Sequence, residues 1–372
     1  MQFTQQDQMF MQLALDLAAK GQFTVDPNPS VGCVLVNDGE IVGKGFHSKA
    51  GEAHAEVMAL CEAGEKAKGA TAYLTLEPCS HFGHTPPCAQ ALIDAGVAKV
   101  IVAIEDPNPL VSGKGLKMLT DAGIESAVGF LAEKSEALNK GFLKRMRTGM
   151  PFVQLKMAIT IDGKTATVSG ESKWITGEAA RADVQVERAR SSAVLSASGT
   201  VLVDNPSLNV RWEQFPANIQ AEYAQEKVRQ PIRIIMDSQH RVRPYHNLFK
   251  TASPVWLVSS KERDMSAFPD FCQHLLLHIE PNQTQLRALM AELGKRGINT
   301  LWVEAGANLA GSLIENGLVD ELIVYIAPKL LGDQARGLCH LPNLTKLSDA
   351  TEWKLQSVEP IGEDVKMVYT RK

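Results

Sequence analysis

The chain has 372 residues, enough for two domains that each bury a core of their own. Its formal net charge of −4 excludes the basic footprint that binding to nucleic acid or an anionic membrane surface would require. With 45% apolar and 22% charged residues, and no apolar run of about 18 residues, the composition is that of a globular, cytoplasmic protein without a membrane partner.

The opening MQFTQQDQMFMQLALDLAAK has no basic stretch and breaks its apolar residues with Gln and Asp, so it reads as a helix and not as a secretory signal. Phe10, Leu13, Ala14 and Leu17 recur at helical spacing between Thr4 and Lys20, behind a capping-box pattern at Thr4 and Asp7. A hairpin follows, Val31 to Val36 and Ile41 to Phe46, about the turn Asp38-Gly39. Then come a helix from Ala53 to Gly64, a strand from Thr71 to Leu76 and the loop EPCSHFGHTPPC. Pro87 stands at an expected first helical position, with a helix to Ala95. A strand from Lys99 to Ile104, a helix from Gly115 to Ala122, a strand from Ile124 and a helix from Asn139 to Met146 complete an α/β domain, 1–148, with RTGMP as linker.

The pattern restarts in a second α/β domain, 149–372. Its predicted elements are a strand from Val153 to Ala158, a helix from Glu178 to Arg190 and a strand from Ala193 to Leu195. Further strands lie in PIRIIMD, PVWLVS, NTLWVEA and LVDELIVYIAP, with a closing pair around Trp353 and Met367. The polar stretch between Arg211 and Pro231 reads as a surface helix or a lid.

Six cysteines in a long chain without a secretion signal point away from a disulfide framework and toward metal or catalytic use. Cys33, Cys61, Cys272 and Cys339 read as small buried hydrophobes. The chemistry-bearing pattern is His54-Ala55-Glu56, then Pro78-Cys79, then Cys88. One imidazole and two thiolates suit Zn2+ and leave a fourth position for water, whose pKa the metal lowers toward ~7. Glu56, two residues past the histidine and not a ligand, is placed to shuttle protons from that water to a departing amine. H-x-E followed by paired cysteines is the signature of zinc deaminases of nitrogen bases. Here the cysteines are spread by the eight residues SHFGHTPP. A structural zinc clip using His81 or His84 as fourth ligand would leave Glu56 without a task.

HAE, TLEPCSHFGHTPPC, PNPSVGCV and EDPNP, followed by LNKGFLKRMRTGMP, IDGKTA, SGESKWIT, TVLVDNPSLNVR and VEAGANLAGSLI, closely resemble the bifunctional deaminase–reductase family of riboflavin biosynthesis over essentially the whole chain. The resemblance implies a cytidine-deaminase-like N-terminal domain and a dihydrofolate-reductase-like C-terminal domain. It implies a phosphorylated pyrimidine substrate, 2,5-diamino-6-ribosylamino-4(3H)-pyrimidinone 5′-phosphate, deaminated and then reduced by NADPH to a ribitylamino product.

Residue by residue, it makes His54, Cys79 and Cys88 the zinc ligands, one ion per chain, and Glu56 the catalytic group. Asn28, His47, His84, Asp106 and Asn108 match positions that hold the deaminase substrate; the family commonly carries Lys or Arg where this chain has His84. Ala158, Trp174, Thr200, Asp204 and Ser238 match positions facing the cofactor, as does the segment Gly306, Ala307, Asn308, Leu309, Ala310, Gly311 and Ser312. Ser172, Arg188, Leu208, Arg211 and Glu304 match reductase substrate positions, and Lys156, a lysine in the apolar strand QLKMAI, is added to them. The chain contains no G-x-G-x-x-G; instead VEAGANLAGSLI reads as strand, glycine turn and helix, whose first amides suit cofactor phosphates. The arginine forks suit a phosphate monoester.

The rival enzyme class is a nucleic-acid base deaminase, such as a tRNA adenosine deaminase with an accessory domain, which the acidic balance opposes. A zinc-stabilised binding protein without turnover is the other. Both leave the reductase motifs idle. A homodimer or higher homo-oligomer is expected.

Overall fold

The computed structural model describes residues 3–80, 86–109, 111–281 and 283–372, and the chain divides into two compact units, Met1–Gly149 and Met150–Lys372. The first begins with α1 (Gln5–Ala19), closed by a reciprocal cap: the Thr4 hydroxyl accepts from the Asp7 N–H at 3.1 Å, and the Asp7 carboxylate accepts from the Thr4 N–H at 2.7 Å. β1 (Gly32–Asn37) and β2 (Glu40–Phe46) form the expected hairpin. Asp38 and Gly39 both take left-handed φ, 49° and 81°, the backbone that matches a tight turn to twisted strands.

Next in order are α2 (Ala55–Ala63), β3 (Thr71–Leu74), α3 (Cys88–Asp94), β4 (Lys99–Val102), α4 (Lys114–Asp121) and β5 (Glu125–Val128). The unit closes with α5 (Ala132–Leu138) and α6 (Lys140–Thr148). The sheet runs β2-β1-β3-β4-β5, antiparallel through β1 and parallel from β3 to β5. Alternation along β1 serves both faces: Cys33 and Leu35 pack with α2, whereas Val34 and Val36 pack with α1. α2 approaches β2 so closely that a Cβ on Gly45 would stand 2.4 Å from the Ala55 carbonyl oxygen.

The second unit opens with β6 (Phe152–Thr160), β7 (Lys164–Ala166), α7 (Glu178–Arg190), β8 (Ala193–Ala197), α8 (Ser198–Asp204) and α9 (Ala217–Glu222). It continues through β9 (Ile232–Met236), β10 (Val255–Ser259), β11 (Cys272–Leu276), α10 (Gln285–Lys295), β12 (Thr300–Glu304) and α11 (Ala307–Glu315). β13 (Glu321–Ala327), β14 (Arg336–Gly337), β15 (Trp353–Ile361) and β16 (Asp364–Arg371) follow. Among the described residues a nine-stranded sheet runs β11-β10-β9-β8-β12-β6-β13-β16-β15, parallel as far as β13 and antiparallel over the last two strands. Both faces of the parallel part are covered, which is why its strands read as nearly continuous apolar runs. Leu301 and Val303 enter the core under α10 and α11, and Trp302 between them enters the opposite core. No helix among the described residues is long and apolar enough to cross a membrane.

Two expectations are corrected here. Residues 211–231 form no long surface helix: short turns flank the six-residue α9, and the stretch folds on itself. Phe215 and Tyr223 are buried and stacked 6.1 Å apart, and the Trp212 indole donates to the Tyr223 carbonyl at 2.7 Å. Cys61 is exposed, not buried. The buried stripe of α2 is Ala55, Glu56, Ala59 and Ala63, and position 61 falls on the opposite side. Cys33 and Cys272 are buried as expected, and Cys339 is half-buried.

At the end of β9, Asp237 is fully buried and accepts from the N–H groups of Arg241 and Val242, each at 2.9 Å, and from the Arg263 guanidinium at 2.7 Å. Burial alone would raise its pKa, but these donors override it and hold the carboxyl below the ordinary value of 3.8. Its contribution to stability is therefore complete above about pH 3.8 and is lost as pH falls through the lowered folded value. Asp237→Ala, which strands a buried guanidinium, is expected to cost the second unit about 3–5 kcal/mol, read as an earlier urea transition; an unshifted transition would refute this.

Candidate active sites

In the first unit the helix starts do the positioning. His54 caps α2, Glu56 lies in its first turn, and Cys88 is the first residue of α3. Cys79 sits in the loop leaving β3, and its sulfur accepts from the Cys88 backbone N–H at 3.2 Å. The donor atoms of His54, Cys79 and Cys88 all lie within 4.8 Å of one another. His54 Nδ1 is 3.2 Å from the Cys88 sulfur and 3.7 Å from that of Cys79. Around a tetrahedral ion with Zn–N and Zn–S bonds of about 2.0 and 2.3 Å, N···S edges come to about 3.5 Å. The three donors thus fit zinc and leave one vertex for another ligand. A hydrogen bond from Cys88 pulls the Cys79 thiol down to about 4, as a metal-binding sulfur requires. Glu56 is buried, and burial pushes its carboxyl up to about 7.

His47 stands beside the triad, its ring centroid 5.3 Å from that of His54. Its Nδ1 faces the Ala53 carbonyl at 3.1 Å and its Nε2 faces the Asn28 amide nitrogen at 3.0 Å. A carbonyl accepts and an amide NH2 donates, so the ring is the neutral Nδ1–H tautomer. Burial, which lowers the His47 pKa, agrees with this. Asp106 and Asn108 lie in the loop after β4, where the Asp106 carboxylate accepts from the Asn108 N–H at 2.8 Å. His84, like His81, lies outside the described residues.

Sequence reasoning missed Glu77. Its buried carboxylate accepts from the N–H groups of Asp106, Gly113, Gly115 and Leu116 at 3.0–3.2 Å, and so ties the Asp106 loop to the segment that carries Cys79. The approach is close: a Cβ on Gly115 would stand 2.1 Å from the Pro78 carbonyl oxygen. The available signal was an acid placed directly before Pro78-Cys79, at the end of an apolar strand.

The second unit holds a cavity of about 1170 Å³ at the carboxyl ends of β6, β8 and β12. Such strand ends are where open α/β sheets bind ligands. Lys156 and Glu304 are register partners on β6 and β12 and both line the cavity. Burial lowers the Lys156 pKa. It would raise that of Glu304, but the Arg188 charge overrides it and holds this carboxyl at about 2.

Arg188 was expected to grip a phosphate. Instead its fork is spent on Glu304, with bonds of 2.6 and 2.8 Å, and its remaining Nη1 donates to the Asn209 carbonyl at 2.9 Å. Arg211 differs: it lines the cavity, and its buried Nε has no hydrogen-bond partner among the described residues. Leu208, also on the wall, holds a left-handed φ of 54°, a strained conformation for leucine. It is bracketed by arginine–carbonyl bonds on both sides, from Arg233 to Ser207 at 3.1 Å and from Arg188 to Asn209.

Ala158, Thr200 and Asp204 line the cavity, with Ser172 donating to the Asp204 carboxylate at 3.2 Å. Trp174 lines it too, 62% exposed and covered by the Arg181 guanidinium at 4.9 Å. Gly306 caps α11, and a Cβ there would meet nothing within 4 Å, which leaves a cradle over the free amides of the first helical turn. Ala307, Asn308, Leu309 and Ser312 face the same space, so the segment fits a dinucleotide's phosphates. Ala310 and Gly311 do not line the cavity: both are buried on the packed side, where a Cβ on Gly311 would stand 1.9 Å from the His340 carbonyl oxygen. Ser238 is exposed, outside the cavity lining, and accepts from Gln285 at 3.3 Å.

Residues 4–104 match the family described as cytidine and deoxycytidylate deaminase zinc-binding region, and residues 151–367 match the RibD C-terminal domain. The chain is 67% identical to riboflavin biosynthesis protein RibD of Haemophilus influenzae over 100% of its own length and 99% of that protein's. Identity to the Escherichia coli protein of the same name is 55%, over 97% and 98% of the two chains. Among solved structures it is similar to Acinetobacter baumannii RibD, with a TM-score of 0.90, 44% identity and 99% of both chains covered. It is also similar to a Thermotoga maritima diaminohydroxyphosphoribosylaminopyrimidine deaminase/5-amino-6-(5-phosphoribosylamino)uracil reductase, with a TM-score of 0.86, 32% identity and 99% of both chains covered.

The ligand geometry predicts one zinc ion per chain. Cys79→Ser and Cys88→Ser, each replacing a thiolate by a neutral hydroxyl, are expected to abolish stoichiometric zinc in elemental analysis of the purified protein. Full zinc in both variants would overturn the ligand assignment.

Proposed function

The chain belongs to the family of the bifunctional riboflavin biosynthesis protein RibD, and on that premise we propose how its two halves divide the work. Residues 1–148 deaminate 2,5-diamino-6-ribosylamino-4(3H)-pyrimidinone 5′-phosphate. Residues 149–372, a dihydrofolate-reductase-like domain, reduce 5-amino-6-(5-phosphoribosylamino)uracil with NADPH. The observation that carries this reading is a buried, non-ligand Glu56 beside a His54–Cys79–Cys88 triad, in one chain with a large cavity that presents Gly306, the Lys156–Glu304 pair and Arg211, whose Nε has no partner among the described residues. The net charge of −4 continues to disfavour a nucleic-acid substrate. The reading extends to a cytoplasmic enzyme assembled as a homo-oligomer.

In the first site, zinc held by the triad supplies Lewis acidity that brings the ionisation of water near neutral pH. Glu56 accepts the proton that water gives up as its oxygen bonds to pyrimidine C2, and returns a proton to the amine as the C2–N bond breaks and ammonia leaves. His47, fixed as the Nδ1–H tautomer, and Asn28 orient the ring or its ribose. Asp106 and Asn108 do the same from the loop that Glu77 holds.

In the second site, NADPH supplies the hydride. The amides of 307–309 would hold its phosphates, and Trp174 would form part of the wall of its pocket. Arg188 orients Glu304 against Lys156, so that a carboxylate and a desolvated lysine stand together on the cavity floor. The substrate phosphate falls to Arg211, whose Nε has no hydrogen-bond partner among the described residues.

Glu56→Gln preserves size and every zinc ligand. Zinc content should persist while deamination falls by about 10²–10⁴-fold. Oxidation of NADPH with supplied deaminated substrate, followed at 340 nm, should continue at nearly the original rate. Loss of that oxidation in a folded, zinc-loaded variant would defeat the two-site reading. Arg211→Ala should remove a charge-assisted contact of about 1.5–3 kcal/mol, weakening use of the phosphorylated substrate by roughly 10- to 150-fold. The dephosphorylated analogue should be little affected, and equal losses on both would assign Arg211 another role.

A further inference from the structure

The stretch between β7 and α7, residues 167–177, belongs to no helix or strand, yet it supplies the part of the cavity wall that carries Ser172 and Trp174. An indole 62% exposed on irregular backbone has little packing to fix its direction. What holds it is a set of side chains reaching in from outside the stretch. The Lys329 ammonium donates to two successive carbonyls, that of Trp174 at 2.8 Å and that of Ile175 at 2.7 Å. Arg181 donates to the next one, Thr176, at 2.8 Å, and the Asp364 carboxylate accepts from the Gly177 N–H at 2.7 Å. On the other side of the indole, Lys173 donates to the Asp204 carbonyl.

Within this set Lys329 stands apart. Arg181 lines the cavity itself and lies over the Trp174 ring at 4.9 Å, so its effects are not separable from direct ligand contact. Lys329 is exposed and outside the cavity lining. Both of its side-chain bonds among the described residues go to the Trp174 and Ile175 carbonyls, so it reaches the site only through the wall.

Its own footing is firm. β13 runs in parallel register with β6 as far as Ala327 and Thr160. Two residues on, the Lys329 carbonyl accepts from the Ile161 N–H at 3.0 Å. Beyond it the Asp162 carboxylate accepts from the N–H groups of Leu331 and Gly332 at 3.1 and 2.8 Å. β6 is also the strand that carries Lys156 and Ala158. Lys329 thus ties the wall bearing Trp174 to a strand that forms the cavity floor. An ammonium has three N–H donors, and here two of them pin successive planar peptide groups. With Lys173 anchored before them and Thr176 after, the indole is left little freedom of direction. Order present before a ligand arrives spares that ligand the entropy of arranging its own pocket.

We infer that Lys329 is a positioning residue of the reductase: by clamping the Trp174 and Ile175 carbonyls it holds the Trp174 wall in place for the nicotinamide cofactor. The inference rests on the reductase reading above and adds to it a residue that itself contacts no ligand. Ser172 has a separate hold, its bond to Asp204 at 3.2 Å, so the clamp bears on the cofactor and not on the phosphorylated substrate.

The test is NADPH titration and steady-state reduction with the full zinc-loaded chain, Lys329→Met, Lys329→Arg, Trp174→Ala and the double variant combining Lys329→Met with Trp174→Ala. Lys329→Met should weaken NADPH binding and raise its KM by about 5- to 30-fold. At saturating NADPH, kcat should stay within about threefold and the KM for the phosphorylated substrate within about twofold. Lys329→Arg, whose guanidinium also offers two donors, should recover most of the loss. In the Trp174→Ala background Lys329→Met should add less than about twofold, because the clamp then has no indole to place. Four results would each overturn the assignment and leave the reductase reading standing: the full further loss in that background, unchanged NADPH affinity in Lys329→Met, no recovery in Lys329→Arg, or a urea transition that falls in step with the affinity. An original chain that neither bound nor oxidised NADPH would defeat that reading, and this assignment with it.

Discussion

A backbone that leaves a strand and enters a helix exposes amides with no partner inside the helix, and something polar or anionic must meet them. Both candidate sites are organised by that constraint. The start of α3 presents the Cys88 N–H to the Cys79 sulfur, and the cap of α2 holds His54 with Glu56 in the first turn behind it. In the second unit the starts of α8 and α11 emerge from the adjacent strands β8 and β12, at one end of the sheet. The cavity is the space left between those starts. Sheet and helices thus provide a rigid frame, and the reacting groups need only short side chains to converge.

A second organising feature is the cation balance of the reductase cavity. Arg188 and Glu304, with side chains 8% and 15% exposed, form a two-pronged pair that fixes one carboxylate against Lys156. Removing charges from water makes such a pair a poor source of net stability. Its value lies in geometry: Arg188 also grips Asn209, and so helps hold Leu208 in its strained backbone. With Arg188 neutralised, the positive charge left for an anionic ligand lies on other side chains of the lining, Arg211 among them. Sequence pattern treats Arg188 and Arg211 alike; only their partners separate them.

Legibility followed the physics of each feature. The capping box at Thr4, the Asp38-Gly39 hairpin and helix Glu178–Arg190 are local, and were readable as such. The zinc triad was readable because metal chemistry restricts residue type so severely. α5 was missed because AEKSEAL has no apolar stripe and adjoins α6 through Asn139, whose side chain reaches back to the Ser30 backbone. α10 and β11 were passed over among stronger apolar runs. Glu77 depends on amides 29 to 39 positions away, Cys61 on which side of α2 meets the sheet, and Arg188 on a partner 116 positions downstream. Such contacts are settled by tertiary structure, and no local rule anticipates them. Residues 212–230 misled for the opposite reason: helix-forming composition was overridden by Pro216 and by the Phe215–Tyr223 stack.

The closeness of Cys79 and Cys88 has a consequence outside catalysis. The two sulfurs lie within 4.8 Å of one another, and a hydrogen bond from Cys88 draws the Cys79 thiol toward its thiolate. A thiolate beside a second cysteine is the starting arrangement for disulfide formation once an oxidant is present. While a metal occupies both sulfurs, that chemistry is blocked. Withdrawing it in air therefore opens a competing route, in which the ligand pair is locked as a disulfide and cannot be refilled. Preparing the metal-free chain is accordingly a redox problem, and a reductant belongs in the buffer with the chelator.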